Sequence, residues 1–158
     1  MIYIYNAGPL FSEADQKQRK LEGELLREIG KDHTDFFVAN PIDLPLDQTG
    51  PLSSQIIFDT DNQHIQKANV FFFELATGDP GTMVELGMAI QRLINKEEIR
   101  LYPIFSDLRL IRNSASGIEC PVGFNSFVTG SLTYHQIQTY PDFESAYQAF
   151  KRSLAASV

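Results

Sequence analysis

Val70-Phe71-Phe72-Phe73, four apolar residues with no polar break, constrains the fold more than any other part of the chain. A strand with one wet face alternates apolar and polar positions; an unbroken run must be covered on both faces, as in parallel sheets flanked by helices. Other strand-like runs fit that frame: Ile2–Tyr5 broken by Ala7-Gly8-Pro9, Phe36–Ala39 closed by Asn40-Pro41, Ile99–Phe105, and a fifth near Phe127–Val128. Between them the apolar spacing turns helical. Leu21, Leu25, Leu26 and Ile29 form a stripe within Ser12–Gly30, with Ser12 as N-cap, Asp15 three residues on and Gly30 as the stop. Helical spacing resumes at Ile56, Ile57, Ile65 and Ala68, over Thr82–Asn95, and in a closing helix Asp142–Ala155 capped by Asp142. Strands alternating with helices imply right-handed crossovers and a three-layer α/β domain with a parallel sheet of about five strands.

The chain has 158 residues, which fits a single domain over 1–158, and 43% of them are hydrophobic, enough for a sizeable core. Its net charge of −7 argues against nucleic acid or an anionic membrane as partner, since both require a basic face. Cys120 stands alone and His33, His64 and His135 are scattered, so neither a disulfide nor a metal site is expected, and a cytoplasmic location is the default. The amino-terminal run lacks the basic segment of a signal peptide. No apolar stretch approaches the ~20 residues of a membrane span. Proline and glycine mark Ile42–Ser54 as the one long loop.

In open parallel sheets ligands bind beyond the carboxyl ends of the strands, which directs attention to the loops after strands one, three and four. The strongest local signal is Gly78-Asp79-Pro80-Gly81-Thr82-Met83-Val84-Glu85-Leu86-Gly87-Met88-Ala89. It places Asp79 before a helix and Glu85 about one turn inside it among apolar neighbours, where a carboxylate is costly unless partnered or used. The plain alternative is a capping Asp79 and a surface Glu85. Asp59-Thr60-Asp61 is either a solvated helix face or a second acidic group converging on the same sheet end. Convergent carboxylates suit glycosidic chemistry, where one protonates a leaving group and another attacks the anomeric carbon. The first loop has too few glycines for a dinucleotide fingerprint, and neither a Walker A sequence nor a Gly-x-Ser-x-Gly elbow is present.

Ala7-Gly8-Pro9-Leu10-Phe11, Asp61-x-x-x-Ile65-x-x-Ala68, Asp79-x-Gly81-Thr82-x-x-Glu85-Leu86-Gly87-x-Ala89 and Gly123-Phe124-Asn125, in that order, resemble the nucleoside 2-deoxyribosyltransferase family. The resemblance implies a flavodoxin-like fold and transfer of 2-deoxyribose between nucleobases through a covalent glycosyl-enzyme, without cofactor or metal. It implies Glu85 as nucleophile and Asp61 as the group that donates to the departing base. Asp79, Gly8, Phe11 and Gly81 would bind substrate, together with a first-strand tyrosine close to the nucleophile, taken as Tyr5, although the aligning position is Ile4, flanked by Tyr3 and Tyr5. Asn125 would be lent by a neighbouring subunit to the sugar 5′-hydroxyl, so a homo-oligomer with a shared site is expected. The partners so implied are a 2-deoxynucleoside and a free nucleobase, in nucleoside salvage.

Two other readings compete. A deoxynucleoside 5′-monophosphate N-glycohydrolase would need groups for a phosphate dianion, which Glu13 and Asp15 in the first loop would repel. A nucleotide-sensing module that lost the reaction would have no need of Glu85, Asp61, Asp79 and Asn125 together. Ser106–Val122 is longer and more polar than in compact members, and Asp107 with Arg109 there forms either an interface or a solvent-exposed ion pair.

Overall fold

A computed structural model describes residues 1–45, 51–112 and 123–156. Four parallel strands, β1 (Ile2–Ala7), β2 (Phe36–Ala39), β3 (Val70–Glu74) and β4 (Arg100–Ile104), lie in the order β2-β1-β3-β4. The helices are α1 (Glu13–Gly30), α2 (Ser54–Lys67), α3 (Pro80–Ile94), α4 (Leu108–Arg112), α5 (Ser126–Tyr134) and α6 (Phe143–Ala155).

Alternate residues of each strand feed two cores. Tyr3, Tyr5, Ala7, Phe71 and Phe73 pack with Ile65, Leu86, Ala89, Ile90 and Leu132, that is, under α2, α3 and α5. Ile4, Val70 and Phe72 face the other way, against Leu26 of α1 and Phe143, Ala146, Tyr147 and Phe150 of α6. All of Val70–Glu74 is buried, as an apolar run covered on both faces requires. The caps read from the sequence are in place: Ser12 and Asp15 form a reciprocal capping box on α1, and Asp142 accepts from the Ser145 amide on α6.

One expected element is absent from the sheet. Phe127–Val128 is no strand; both residues lie in the first turn of α5, whose N-cap Asn125 accepts from their backbone amides at 3.0 and 3.3 Å. Among the described residues the sheet has four strands, and the place of a fifth beside β4 is taken by a one-residue parallel bridge from Ile104 to Tyr140. The long loop after β2 opens with a 3-10 turn, Pro41–Asp43. Residues 46–50 of that loop, and Cys120 with most of the Ser106–Val122 stretch, lie outside the described residues. Asp107 and Arg109 do pair, at 2.5 Å, with the arginine fully in solvent.

Candidate active site

The carboxyl ends of β1 and β2 and the amino-terminal halves of α2 and α3 enclose a cleft of about 420 Å³. Its walls differ in character. Gly8, Leu10 and Phe11 from the loop after β1, with Pro41, Ile42 and Leu44 from the β2 exit, make an apolar side; Thr60, Asp61, Asp79, Thr82 and Glu85 make a polar, acidic one. A second hollow of about 390 Å³, between Ile57, Phe58, Val84 and Met88, opens on the same Asp61 and Glu85.

Each acidic group is set by local structure. Asp79 is the N-cap of α3, its Oδ2 accepting from the Thr82 amide and hydroxyl, both at 2.9 Å. The capping role and a place in the cleft wall therefore belong to one side chain, and Gly78, at φ +66°, provides the left-handed turn leading into it. Glu85 sits a turn and a half into α3, half-buried, and Tyr5 Oη donates to its Oε1 at 2.6 Å across the β1–α3 gap. Asp61 projects from the middle of α2, also half-buried, whereas Asp59 is exposed. Arg92 ties the far ends of α2 and α3 together by donating to the Ile65 and Ala68 carbonyls, and Tyr3 Oη lies 2.6 Å from His64 Nδ1 at the end of α2.

The electrostatics follow from this enclosure. Burial pushes the Asp61 carboxyl up to about 6. Burial likewise raises Glu85, to about 7: the Tyr5 hydrogen bond lowers it, and the charges of Asp61 and Asp79 raise it further. Tyr5 itself is driven far above the ordinary phenol value, first by burial and then by the Glu85 charge, so it remains a donor. Two carboxyls that can each hold or lose a proton near neutrality, facing one cleft, are equipped for acid and nucleophile or base roles.

Of the residues read as site candidates, Gly8, Phe11, Asp61, Asp79, Gly81 and Glu85 line the cleft and Tyr5 reaches it through Glu85. Asn125 does not; it is exposed and engaged as the α5 cap, away from this cleft. Gly87 is exposed and outside the lining. Sequence reasoning missed a buried polar cluster behind the apolar wall, formed by Asn6, Arg19, Glu22 and Asn40. The available signals were an asparagine interrupting the apolar first strand and another ending the second. Among the described residues no group of His, Cys, Asp and Glu could hold a metal ion, and no helix is long and apolar enough to cross a membrane.

Comparison with known proteins places the fold and the family. A structure of a conserved protein from Enterococcus faecalis V583 superposes with a TM-score of 0.71 at 20% identity, covering 97% of this chain and 99% of the other. A 2-deoxyribosyltransferase from Leishmania mexicana superposes with a TM-score of 0.59 at 19% identity, covering 95% and 97%. In sequence, an uncharacterized protein of Ureaplasma parvum serovar 3 is 27% identical over 142 residues, 85% of each chain. The family model described as nucleoside 2-deoxyribosyltransferase matches residues 4–100, a span that carries Tyr5, Asp61, Asp79 and Glu85 and ends before Asn125. With most of its length matched by that model, the chain belongs to the nucleoside 2-deoxyribosyltransferase family.

Proposed function

We propose that the protein transfers 2-deoxyribose from a 2-deoxynucleoside to a free nucleobase, with Glu85 as nucleophile. The observation that carries this reading is the Tyr5–Glu85 hydrogen bond at 2.6 Å in a cleft that also holds Asp61 and Asp79. Glu85 attacks the anomeric carbon as the bond to the base breaks, and the electron pair of that bond leaves with the base. Asp61 supplies the proton the departing base takes up. The incoming base then attacks the glycosyl-enzyme from the opposite side, returns the electron pair to the Glu85 carboxylate and gives its proton to Asp61, so configuration is retained. Asp79 holds the sugar, and Phe11 offers an apolar face to the base. No cofactor enters these steps. Asn125, which caps α5 away from its own cleft, is the group a neighbouring copy would bring to the sugar 5′-hydroxyl, in a homo-oligomer.

The state of the amino end of α1 supports a nucleoside over a 5′-monophosphate. Ser12 and Asp15 satisfy the helix terminus reciprocally, and the Asp15 carboxylate already occupies the positive end of the helix. A phosphate there would meet a like charge.

The decisive experiment mixes deoxyinosine, adenine and the protein and follows the products by chromatography. Deoxyadenosine is expected. Hypoxanthine without a new nucleoside would instead identify a hydrolase, and unchanged deoxyinosine a non-catalytic binder. Glu85→Ala should abolish transfer while its circular dichroism stays that of the parent, and activity near that of the parent would exclude Glu85 as nucleophile.

A further inference from the structure

The apolar wall of the cleft is built on a buried charge. Arg19 of α1 is only 3% exposed, and its Nη2 donates to Glu22 Oε1 at 2.6 Å. Glu22, equally buried, also accepts from Gln18 at 2.9 Å and, through Oε2, from Asn6 at 3.1 Å. Asn6 donates in turn to Asn40 Oδ1 at 3.1 Å, and Asn40 donates back to the Arg19 carbonyl at 3.0 Å and to Asp43 at 2.9 Å. This network joins α1, the end of β1 and the exit of β2. Those last two carry Gly8, Leu10 and Phe11 on one side and Pro41, Ile42 and Leu44 on the other.

Arg19 also touches the loop directly. A Cβ added to Gly8 would stand 2.1 Å from Arg19 Nη1, 3.0 Å from Cζ and 3.2 Å from Cδ. The tip of a free arginine would swing aside; this one is enclosed and held by Glu22. Its Nε and Nη1 have no hydrogen-bond partner among the described residues, so neither is there to satisfy an acceptor. A buried cation with idle donors is an expensive way to fill space unless its position matters.

We propose that Arg19 is a positioning residue: clamped by Glu22, its guanidinium is the floor on which Gly8 rests, and through Gly8 it sets the distance of Leu10 and Phe11 from the carboxylates across the cleft. Arg19 thereby controls how tightly the nucleobase is held, without touching it. The inference rests on the transferase reading for its substrate, and concerns binding more than chemistry.

The test is a pair of variants and their combination. Gly8→Ala should raise KM for deoxyinosine at least tenfold with kcat changed less than threefold, because the added methyl lifts the loop off the guanidinium. Arg19→Lys keeps a cation for Glu22 and removes the fork, so Gly8→Ala with Arg19→Lys should return KM to within threefold of the parent. Amide hydrogen exchange over residues 8–11, which requires no turnover, should accelerate in Gly8→Ala and recover in the double variant. Thermal melts identify any variant that fails to fold; should Arg19→Lys be one, Arg19→Met with Glu22→Gln removes both charges and takes its place. A Gly8→Ala protein with parental KM and exchange, or a double variant no better than Gly8→Ala, overturns the proposal. If the parent transfers no deoxyribose, the functional reading fails, and the exchange measurement still decides whether Arg19 positions the loop.

Discussion

Removing one oxygen atom tests the chemistry assigned to Glu85. In Tyr5→Phe the ring stays in its fully buried place 6.3 Å from Phe71, and only the donor 2.6 Å from Glu85 Oε1 disappears. That bond lowers the Glu85 value, which stands at about 7 even with it. A hydrogen bond to a charged group is worth ~1.5–3 kcal/mol, and in a water-accessible cleft the lower part of that range applies. About 1.4 kcal/mol corresponds to about one pKa unit, so Glu85 should become harder to ionise by that amount. In the proposed reaction Glu85 must be ionised and Asp61 protonated; Asp61 is present in both proteins, so the ratio of the variant's rate to the parent's is set by the change at Glu85. At a pH of about 6.5, below both Glu85 values, the variant should be about eightfold to tenfold slower. At a pH of about 9 Glu85 is ionised in both proteins and the rates should converge. The assay is the initial rate of deoxyadenosine formation from deoxyinosine and adenine across that range. A deficit of the same size at every pH, or none anywhere, would refute the reasoning, because Tyr5 would then act by geometry or not at all.

Other outcomes follow from the same geometry. The folded protein binds the Glu85 proton more tightly than the unfolded chain does, so this group costs stability as pH rises from about 4.5 through about 7; Glu85→Gln should melt higher than the parent at a pH of about 8, with the gap closing by about 5. Asp79→Ala should lose the α3 cap, ~1 kcal/mol of stability in a denaturant titration, as well as activity. Asp79→Asn keeps a capping oxygen and should recover the stability, and recovered activity as well would show that the cap is all Asp79 provides. Inosine should turn over far more slowly than deoxyinosine, since a 2′-hydroxyl would crowd or hydrogen-bond the nucleophile, and comparable rates by chromatography would contradict that role.

The parts of the molecule legible in the sequence are those whose cause is local. Four apolar residues in a row made β3, and Ser12, Asp79 and Asp142 marked helix starts because caps act within three residues. Ser126–Tyr134 misled for the same reason: Phe, Val, Thr and Tyr favour strands locally, and only the Asn125 cap and the burial of Leu132 against the sheet make the segment helical. Asp61 and Glu85 could be singled out through motif spacing, whereas Tyr5, eighty residues from Glu85, entered only through the family resemblance, with Tyr3 as the other choice beside the aligning Ile4; the crossover between β1 and α3 is what brings Tyr5 to Glu85. The Arg19 cluster was hidden because an arginine and a glutamate on a charged helix read as solvated until the fold closes over them.

The bridge at Tyr140 bears on how such a sheet can meet other chains. Its backbone amide donates to the Pro103 carbonyl and its carbonyl accepts from Phe105, both at 2.9 Å, so the outer side of β4 is plugged at the one point where Pro103 leaves no amide to offer. At the opposite margin β2 contributes only four residues. A docking strand would find a stopper on one side and too short a template on the other. Neither margin offers a full template for a further strand, and the open sheet is kept from growing into a longer one.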